Sequence, residues 1–366
     1  MNNHRTAPFT FFIGTYTQPL PHVAGRGEGV YTCRFNPSTG ELSQPELASD
    51  EVVSPSYLAV SPNRRYLYAV QETDEDRTAA VYAFAVSPDS HSLRYLNHQP
   101  AHGRLPCFVS VHPAGRFVLT ANYGTGSVAV HPVGDDGALH PASDVVQHTG
   151  RGPNPARQEG PHTHQVVFGP QDNLVFVPDL GLDRIMTYRL DTGQGKLHSF
   201  SPPFYSAHPG AGPRHLAFHP TGRYAFGLNE LDASVIVYAH HRGTLTPRQT
   251  VSALPPDFAG EPSGSAVRVS PEGRFVYAAD RGNSSIAVYA FAESTATLTL
   301  LEHQSTQGQT PRDFVIDPTG KFLLAANQDS DTIIAFHRHP STGRLTPTGF
   351  AIHVPNPVCM VFAEQQ

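Results

Sequence analysis

The stretch Gly210–His240, GAGPRHLAFHPTGRYAFGLNELDASVIVYAH, contains three short apolar segments separated by turns. A Pro-Thr-Gly turn at Pro220 separates the first segment from the second, which ends in Asn229-Glu230, and a short polar link precedes the third. Short runs rich in Val, Ile, Phe and Tyr, bounded by Gly, Pro and Asp, are typical of β-strands. The stretch therefore predicts three consecutive strands joined by tight connections.

The same unit recurs along the chain, with a turn proline in each copy. Six such prolines follow one another at intervals of 47 to 57 residues: Pro62, Pro113, Pro170, Pro220, Pro271 and Pro318. A period near fifty residues, built from strands and turns, indicates the blades of a β-propeller, whereas helical solenoids have shorter periods and helical spacing. The repeat therefore predicts six consecutive blades.

The two termini together supply a seventh blade. The segment 356–362, NPVCMVF, predicts a first strand, and FTFFIGTY near the N-terminus predicts the second, followed by two more strands. A C-terminal strand that joins three N-terminal strands closes the ring and removes the exposed sheet edges. We therefore expect an all-β fold, a seven-bladed β-propeller that forms a single domain over residues 1–366.

Composition excludes several classes of protein. The 31 glycines and 34 prolines favour many short strands, and the net charge of −6 with scattered basic residues argues against nucleic-acid binding. No apolar run approaches membrane-spanning length, and the N-terminal apolar run is too short for a signal peptide. Cys33, Cys107 and Cys359 lack paired spacing, which predicts buried free thiols. We expect a cytoplasmic monomer or weak homo-oligomer without a cofactor.

Polar residues lie at equivalent positions of the repeat. In a propeller the first strand of each blade lines the central channel and the second returns antiparallel to it, so the start of one and the end of the other lie on the same face. Six residues before the prolines stand Ser56, Cys107, His164, Arg214, Ser265 and Arg312. The pairs nine and ten residues after them are Gln71-Glu72, Asn122-Tyr123, Asp179-Leu180, Asn229-Glu230, Asp280-Arg281 and Asn327-Gln328. One mouth of the channel should carry these groups.

Arg214 and Arg312 are the strongest candidates for ligand binding. Two guanidinium groups beside a narrow channel repel each other unless an anion or carboxylates lie between them, and arginine is well shaped for bidentate carboxylate or phosphate binding. Glu230 is either a general base or the salt-bridge partner of Arg214. Asn122 and Asn229 are more readily explained as caps of strand ends. Arg281 is equally explained as a ligand contact and as a salt-bridge partner of a neighbouring blade.

The longest departure from the repeat, GRGPNPARQEGPHTHQ at residues 150–165, ends in His162 and His164. The two histidines alternate along a strand and so share a face. This spacing permits a metal site with Glu159 or Glu230, and equally a general base or an oxyanion donor. A lone His-x-His is a weak metal signal, so we predict no metal.

Four segments carry a family resemblance: GAGPRHLAFHPTGRYAFGLNELDASVIVY, PHTHQVVFGP, SAVRVSPEGRFVYAADRGNSSIAVY and TPRDFVIDPTGKFLLAAN. They resemble the propeller-type 6-phosphogluconolactonase family, which includes fungal carboxy-cis,cis-muconate cyclase, and the resemblance spans essentially the whole chain. It implies a seven-bladed fold. It also implies a site at the channel mouth formed by His164 or His162, Glu230, Arg214, and Arg281 or Arg312.

One departure from the family pattern concerns anion binding. Some members carry an acidic residue where this chain has Ala266, and Arg268 follows on the same predicted strand. Arg268 is therefore a further candidate for contact with an anionic substrate.

Three functions follow as hypotheses. The leading one is hydrolysis of a sugar-phosphate lactone, 6-phosphogluconolactone, with His162, His164, Arg214 and Glu230 as catalytic groups. Substrate contacts are then assigned to Arg268, Arg281, Arg312, Asn122 and Asn229. The alternative is lactonising cyclisation of a carboxylated muconate, which needs the same groups. The third is a non-catalytic binding scaffold, although the chain lacks the Trp-Asp signature and has no tryptophan.

Overall fold

The N-terminal segment forms short strands joined by turns and irregular connections. In the computed structural model, which describes residues 7–87, 92–171 and 173–363, no helix is present in these ranges. The first five strands are β1 (Phe9–Thr15), β2 (Pro19–Leu20), β3 (Val23–Ala24), β4 (Val30–Phe35) and β5 (Glu46–Ser49). The short β2–β3 hairpin was not predicted from the sequence, and it lies in the connection that follows β1.

Six antiparallel four-stranded sheets follow in chain order, each built from consecutive strands. The first two contain β6 (Leu58–Val60), β7 (Tyr66–Gln71), β8 (Ala80–Val86), β9 (Leu93–Pro100), β10 (Pro106–Val111), β11 (Phe117–Asn122), β12 (Ser127–Pro132) and β13 (Asp144–Gln147). The next two contain β14 (Val167–Phe168), β15 (Leu174–Asp179), β16 (Arg184–Asp191), β17 (Lys196–Ser206), β18 (Pro213–Phe218), β19 (Tyr224–Asn229), β20 (Ser234–His241) and β21 (Thr244–Ser252). The last two contain β22 (Gly264–Val269), β23 (Phe275–Asp280), β24 (Ser285–Ala292), β25 (Thr297–Ser305), β26 (Pro311–Ile316), β27 (Phe322–Asn327), β28 (Thr332–Arg338) and β29 (Leu345–His353).

The C-terminal strand β30 (Pro357–Phe362) closes the ring. It pairs antiparallel with β1, with Phe362 opposite Phe11 and Met360 opposite Ile13. The resulting sheet has the order β30-β1-β4-β5, so one C-terminal strand completes three N-terminal strands. The predicted seven-bladed β-propeller and its mode of closure are confirmed.

The hairpin turns explain why the repeat carries Pro and Gly. In the fourth blade, the backbone N–H of Gly222 donates to the carbonyl of His219, and Gly222 has a φ of +68°. Glycine adopts this left-handed conformation without the steric cost that other residues meet. The turn therefore fixes the register of β18 against β19, and with it the distance from the turn to the channel mouth.

The hydrophobic core lies between neighbouring blades. Every residue of the second strands β7, β11, β15, β23 and β27 is buried. Aromatic side chains bridge the sheets: Phe35 packs edge-on against Phe322 at 5.3 Å, and Phe226 against Phe291 at 4.9 Å. Each fully buried side chain of this size contributes roughly 1.5–3 kcal/mol. The blades are thus packed into a rigid frame that holds the strand ends in place.

A recurring irregularity shapes the channel mouth. The pairing register shifts between Pro106 and Phe108 and between Pro213 and His215, and again at the start of β26. Cys107, Arg214 and Arg312 are therefore unpaired bulge residues at the starts of first strands. A β-bulge bends the strand and redirects a side chain, and such bulges are common beside active sites. The fold thus directs these three side chains to the same mouth of the channel.

Candidate active site

A cavity of about 290 Å³ opens at the predicted mouth of the channel. Its ionisable lining residues are His22, Glu72, Cys107, Tyr123, Arg157, His164, Glu230, Arg281 and Arg312. A smaller cavity adjoins it, shares Cys107, His164 and Arg312 with it, and is lined by Arg214 as well. The structure therefore brings together five of the predicted residues: His164, Arg214, Glu230, Arg281 and Arg312.

Glu230 lies at the centre of an arginine cluster. Its Oε1 accepts a hydrogen bond from Arg157 at 2.5 Å. Its Oε2 accepts one from Arg214 Nε at 3.0 Å and lies 2.9 Å from a guanidinium nitrogen of Arg281. The carboxylate is 6% exposed. Both of its oxygens are thus occupied by cationic groups.

These contacts set the charge state of the cluster. Burial alone raises the pKa of Glu230, but Arg281 and Arg214 hold it well below its usual range. Burial and the nearby Arg281 lower the pKa of Arg214 to about 10. Glu230 is therefore a fixed anion and a weak base, whose contacts position three guanidinium groups.

His164 is a buried, neutral imidazole beside this cluster. Its Nε2 lies 3.8 Å from Glu230 Oε2, and its Nδ1 lies 3.8 Å from the sulfur of Cys107. Burial and Arg214 hold its pKa well below the ordinary histidine value. A neutral imidazole still donates one N–H and accepts at its other nitrogen. His164 can thus donate a hydrogen bond into the cavity without carrying charge.

A second carboxylate, Glu72, faces the same cavity. The Tyr16 hydroxyl donates to its Oε2 at 3.0 Å, and Arg312 donates to that hydroxyl at 2.8 Å. His22, from the turn of the β2–β3 hairpin, lies 3.2 Å from the same hydroxyl. Burial raises the pKa of Glu72 and lowers that of His22 to about 3. Arg312 was a predicted site residue, whereas Glu72 was placed at the channel mouth without a role, and Tyr16 and His22 were not predicted.

The repeat places Glu72 at the channel mouth but contains no signal for Tyr16 and His22. Glu72 stands ten residues after Pro62, as Glu230 stands ten residues after Pro220. Tyr16 and His22 lie outside the six-fold register, in the connection after β1, so periodicity could not have identified them.

The inserted segment at residues 150–165 contributes Arg157. Gln158, which is fully buried, anchors the segment by donating to the carbonyl of Leu180 at 2.8 Å and to Asp183 at 2.7 Å. The neighbouring Arg157, 43% exposed, extends over Glu230 and donates to the Tyr123 hydroxyl at 3.3 Å. The prediction singled out the two histidines of this segment and overlooked the arginine.

The other predicted residues lie away from the cavity wall. His162 stacks on Tyr123 with ring centres 4.5 Å apart, and its backbone N–H donates to Asp179. Arg268 donates to Asp313 at 2.8 Å, and Tyr57 lies beside the same guanidinium.

The two asparagines bond locally near the ends of their strands. Asn122 donates to the carbonyl of Ala101 at 2.8 Å, and Asn229 donates to Ser234 at 2.8 Å. These contacts fit the capping role that the sequence favoured for both asparagines.

In residues 7–87, 92–171 and 173–363, no group of three or more His, Cys, Asp or Glu side chains is arranged to hold a metal ion. The same ranges contain no helix long and apolar enough to cross a membrane.

Comparison with known proteins places this architecture in a family. The model of the family described as "Lactonase, 7-bladed beta-propeller" matches residues 10–362. The chain belongs to the seven-bladed β-propeller lactonase family. The resemblance stated from the sequence is thereby confirmed.

Two 6-phosphogluconolactonases and one gluconolactonase of solved structure align with nearly the full chain. A 6-phosphogluconolactonase of Bacillus subtilis is 41% identical, covering 97% of this chain and 98% of its own length. A 6-phosphogluconolactonase of Formosa agariphila is 32% identical, with coverages of 91% and 94%. The structure of the periplasmic gluconolactonase of Pseudomonas aeruginosa superposes with a TM-score of 0.90 at 31% identity, covering 98% of this chain and all of the other.

Proposed function

We propose that this chain hydrolyses 6-phosphogluconolactone to 6-phosphogluconate, a step of the pentose phosphate pathway. The observation that supports this most directly is the excess of guanidinium groups at the two adjoining cavities. Arg157, Arg214, Arg281 and Arg312 outnumber the three carboxylates Glu72, Glu230 and Asp313, and Asp313 already accepts a hydrogen bond from Arg268. Such a cluster suits a phosphate-bearing substrate. The cavity volume of about 290 Å³ is close to the lower end of the range of about 300–1,000 Å³ for small-molecule pockets.

The reaction requires water to attack the lactone carbonyl carbon while negative charge develops on the carbonyl oxygen. Arg214 and neutral His164 are the groups we assign to that oxygen. Preorganised donors of this kind lower the barrier because they are already oriented when the charge forms. A histidine whose pKa lies below the usual value stays neutral and can still donate a hydrogen bond to the developing negative charge. Glu230 keeps Arg214 and Arg281 in position.

The phosphate group is assigned to Arg157 and Arg281, whose side chains are 43% and 16% exposed. Arg157 is the more exposed of the two and already contacts Glu230 across the cavity mouth. We expect Arg157→Ala to raise KM for 6-phosphogluconolactone about tenfold, because a charge-assisted hydrogen bond contributes about 1.5–3 kcal/mol. The value of kcat should change less than threefold.

The Arg157 prediction is checked by steady-state kinetics with Arg151→Ala, on the same segment, as the matched control. An unchanged KM in Arg157→Ala would remove Arg157 from the binding site.

The activity itself is tested with freshly generated 6-phosphogluconolactone, after subtraction of the uncatalysed rate. We expect turnover that is unaffected by EDTA, because four guanidinium groups disfavour a divalent cation in this cavity. Gluconolactone without the phosphate should react with a higher KM. If the protein turned over only a carboxylated muconate, its activity would be that of the cyclase. If it bound these compounds and turned over none of them, it would be a binding scaffold.

We place this reaction in the cytoplasm and propose a monomer or weak homo-oligomer that acts on a small molecule. The three cysteines are free and buried, which fits a reducing compartment. Cell fractionation tests the location, since the Pseudomonas relative is described as periplasmic, and light scattering tests the oligomeric state.

A further inference from the structure

Glu72 is a buried carboxyl group at the cavity for which the reaction described above has no role. It stands directly after β7, is 3% exposed, and lines the same cavity as Glu230 and His164. Lactone hydrolysis requires a group that removes a proton from the attacking water, and none has yet been assigned. Glu72 is the second carboxylate within reach of this cavity.

We propose that Glu72 is the general base that activates water in lactone hydrolysis, with Tyr16 and Arg312 holding its carboxylate in position. This inference rests on the proposed function of the cavity. Glu72 would act on the reacting water itself, whereas Tyr16 and Arg312 are positioning residues.

The contacts of the two carboxylates distinguish their roles. Both oxygens of Glu230 contact guanidinium groups, so its lone pairs are already engaged with cations. Glu72 accepts a hydrogen bond from the Tyr16 hydroxyl, and Arg312 donates to that hydroxyl. A carboxylate bonded to a hydroxyl keeps more basicity than one bonded to three cations.

The surroundings of Glu72 support the same role. Burial raises its pKa, while Arg312, the Ser56 and Tyr16 hydroxyls and Arg214 oppose this effect without reversing it. A raised pKa, nearer to neutral pH, makes a carboxylate a more effective general base. The titratable and charged groups around it come from several elements: Tyr16, His22, Cys107, His164, Arg214, Glu230, Arg281 and Arg312.

The proposed step balances in atoms and charge. Glu72 takes a proton from water as the water oxygen bonds to the lactone carbonyl carbon, and the carbonyl electron pair moves onto its oxygen beside Arg214 and His164. When the carbonyl re-forms, the ring C–O bond breaks and its electron pair stays on the ring oxygen. That oxygen takes the proton from Glu72, and the new carboxylic acid then ionises.

The test compares Glu72→Gln with the wild-type enzyme. We expect kcat to fall about 100-fold or more, since general-base catalysis typically contributes about 10²–10⁴-fold. KM and the binding of inorganic phosphate, measured by calorimetry, should change less than threefold. Glu75→Gln, on the same loop and 60% exposed, is the matched control and should keep the wild-type rate.

The pH profile separates a catalytic role from a structural one. In the wild type, kcat/KM should fall at low pH as Glu72 is protonated. This decrease, the acid limb of the pH profile, should disappear in Glu72→Gln. Tyr16→Phe should move the limb to higher pH, because the Tyr16 hydrogen bond stabilises the ionised form. Glu72→Asp keeps the carboxylate and should retain the acid limb at a reduced rate, which provides a second variant if Gln impairs folding.

Two outcomes would overturn the inference. Full activity and an unchanged acid limb in Glu72→Gln would exclude Glu72 as the base while leaving the lactonase activity intact. Absence of hydrolysis by the wild type would overturn the proposed function, and the role of Glu72 with it.

Discussion

Arg214→Ala is expected to lower kcat/KM for 6-phosphogluconolactone by about 10²–10³-fold, the usual effect of removing one oxyanion donor. Arg214 is 2% exposed and is held on one side by Glu230 and on the other by the carbonyl of Ser265. Its guanidinium is therefore oriented before substrate arrives. Steady-state kinetics on the purified variant would measure the loss.

The matched control for this prediction is Arg104→Ala. Arg104 also pairs with a carboxylate, Asp74 at 3.0 Å, but its side chain is 46% exposed. Exposed pairs of this kind contribute about 0–1 kcal/mol, so the control should keep wild-type activity. If Arg214→Ala retained full activity and the wild-type KM, the reacting centre would have to be sought outside this cluster.

The second large effect concerns stability. We expect Glu230→Gln to lower the free energy of unfolding by about 3–5 kcal/mol, the usual cost of removing one partner from a buried ion pair. The substitution keeps the shape of the side chain but leaves Arg214, Arg281 and Arg157 without their shared counter-charge. Urea unfolding followed by circular dichroism would measure the change, with Glu75→Gln as the exposed control.

An added anion should partly restore the stability of Glu230→Gln. Inorganic phosphate that binds among the freed guanidinium groups stabilises the folded state by mass action. The midpoint temperature should therefore rise more with phosphate in the variant than in the wild type. The role assigned to Glu230 would be contradicted if phosphate raised the midpoint temperature equally in both proteins and both were equally stable without phosphate.

The pH dependence of this stability difference follows from the pKa of Glu230. Because the folded-state pKa lies well below the ordinary value of 4.5, the carboxylate stabilises the folded state at pH values above 4.5. That contribution is lost as the pH falls toward the folded-state pKa. The difference in unfolding free energy between wild type and Glu230→Gln should therefore shrink as the solution is acidified.

The charge balance of the cavity connects these predictions. Glu230 neutralises part of the arginine cluster when the cavity holds no substrate, which limits the repulsion between buried guanidinium groups. A substrate phosphate would supply the remaining negative charge. We propose that the same arginines stabilise the fold through Glu230 and recognise the substrate through their remaining N–H groups.

Much of this organisation was predictable from the chain, because propeller blades are local. The turn prolines and the apolar segments beside them repeat within about fifty residues, and adjacent strands pair with their neighbours in sequence. The register therefore placed His164, Arg214, Glu230, Arg281 and Arg312 at one mouth of the channel, and the structure brings them together there. The ring closure through β30 followed from the unpaired strands at the two termini.

Tertiary structure alone decided which residues complete the cavity and which charges they carry. Tyr16, His22 and Arg157 lie in segments outside the repeat, so no periodicity placed them at the site. Glu72 and Glu230 occupy the same repeat position, yet burial raises the pKa of one and arginines lower that of the other. A side chain's place in a strand is determined locally, whereas its basicity depends on groups that only the closed ring brings within a few ångströms.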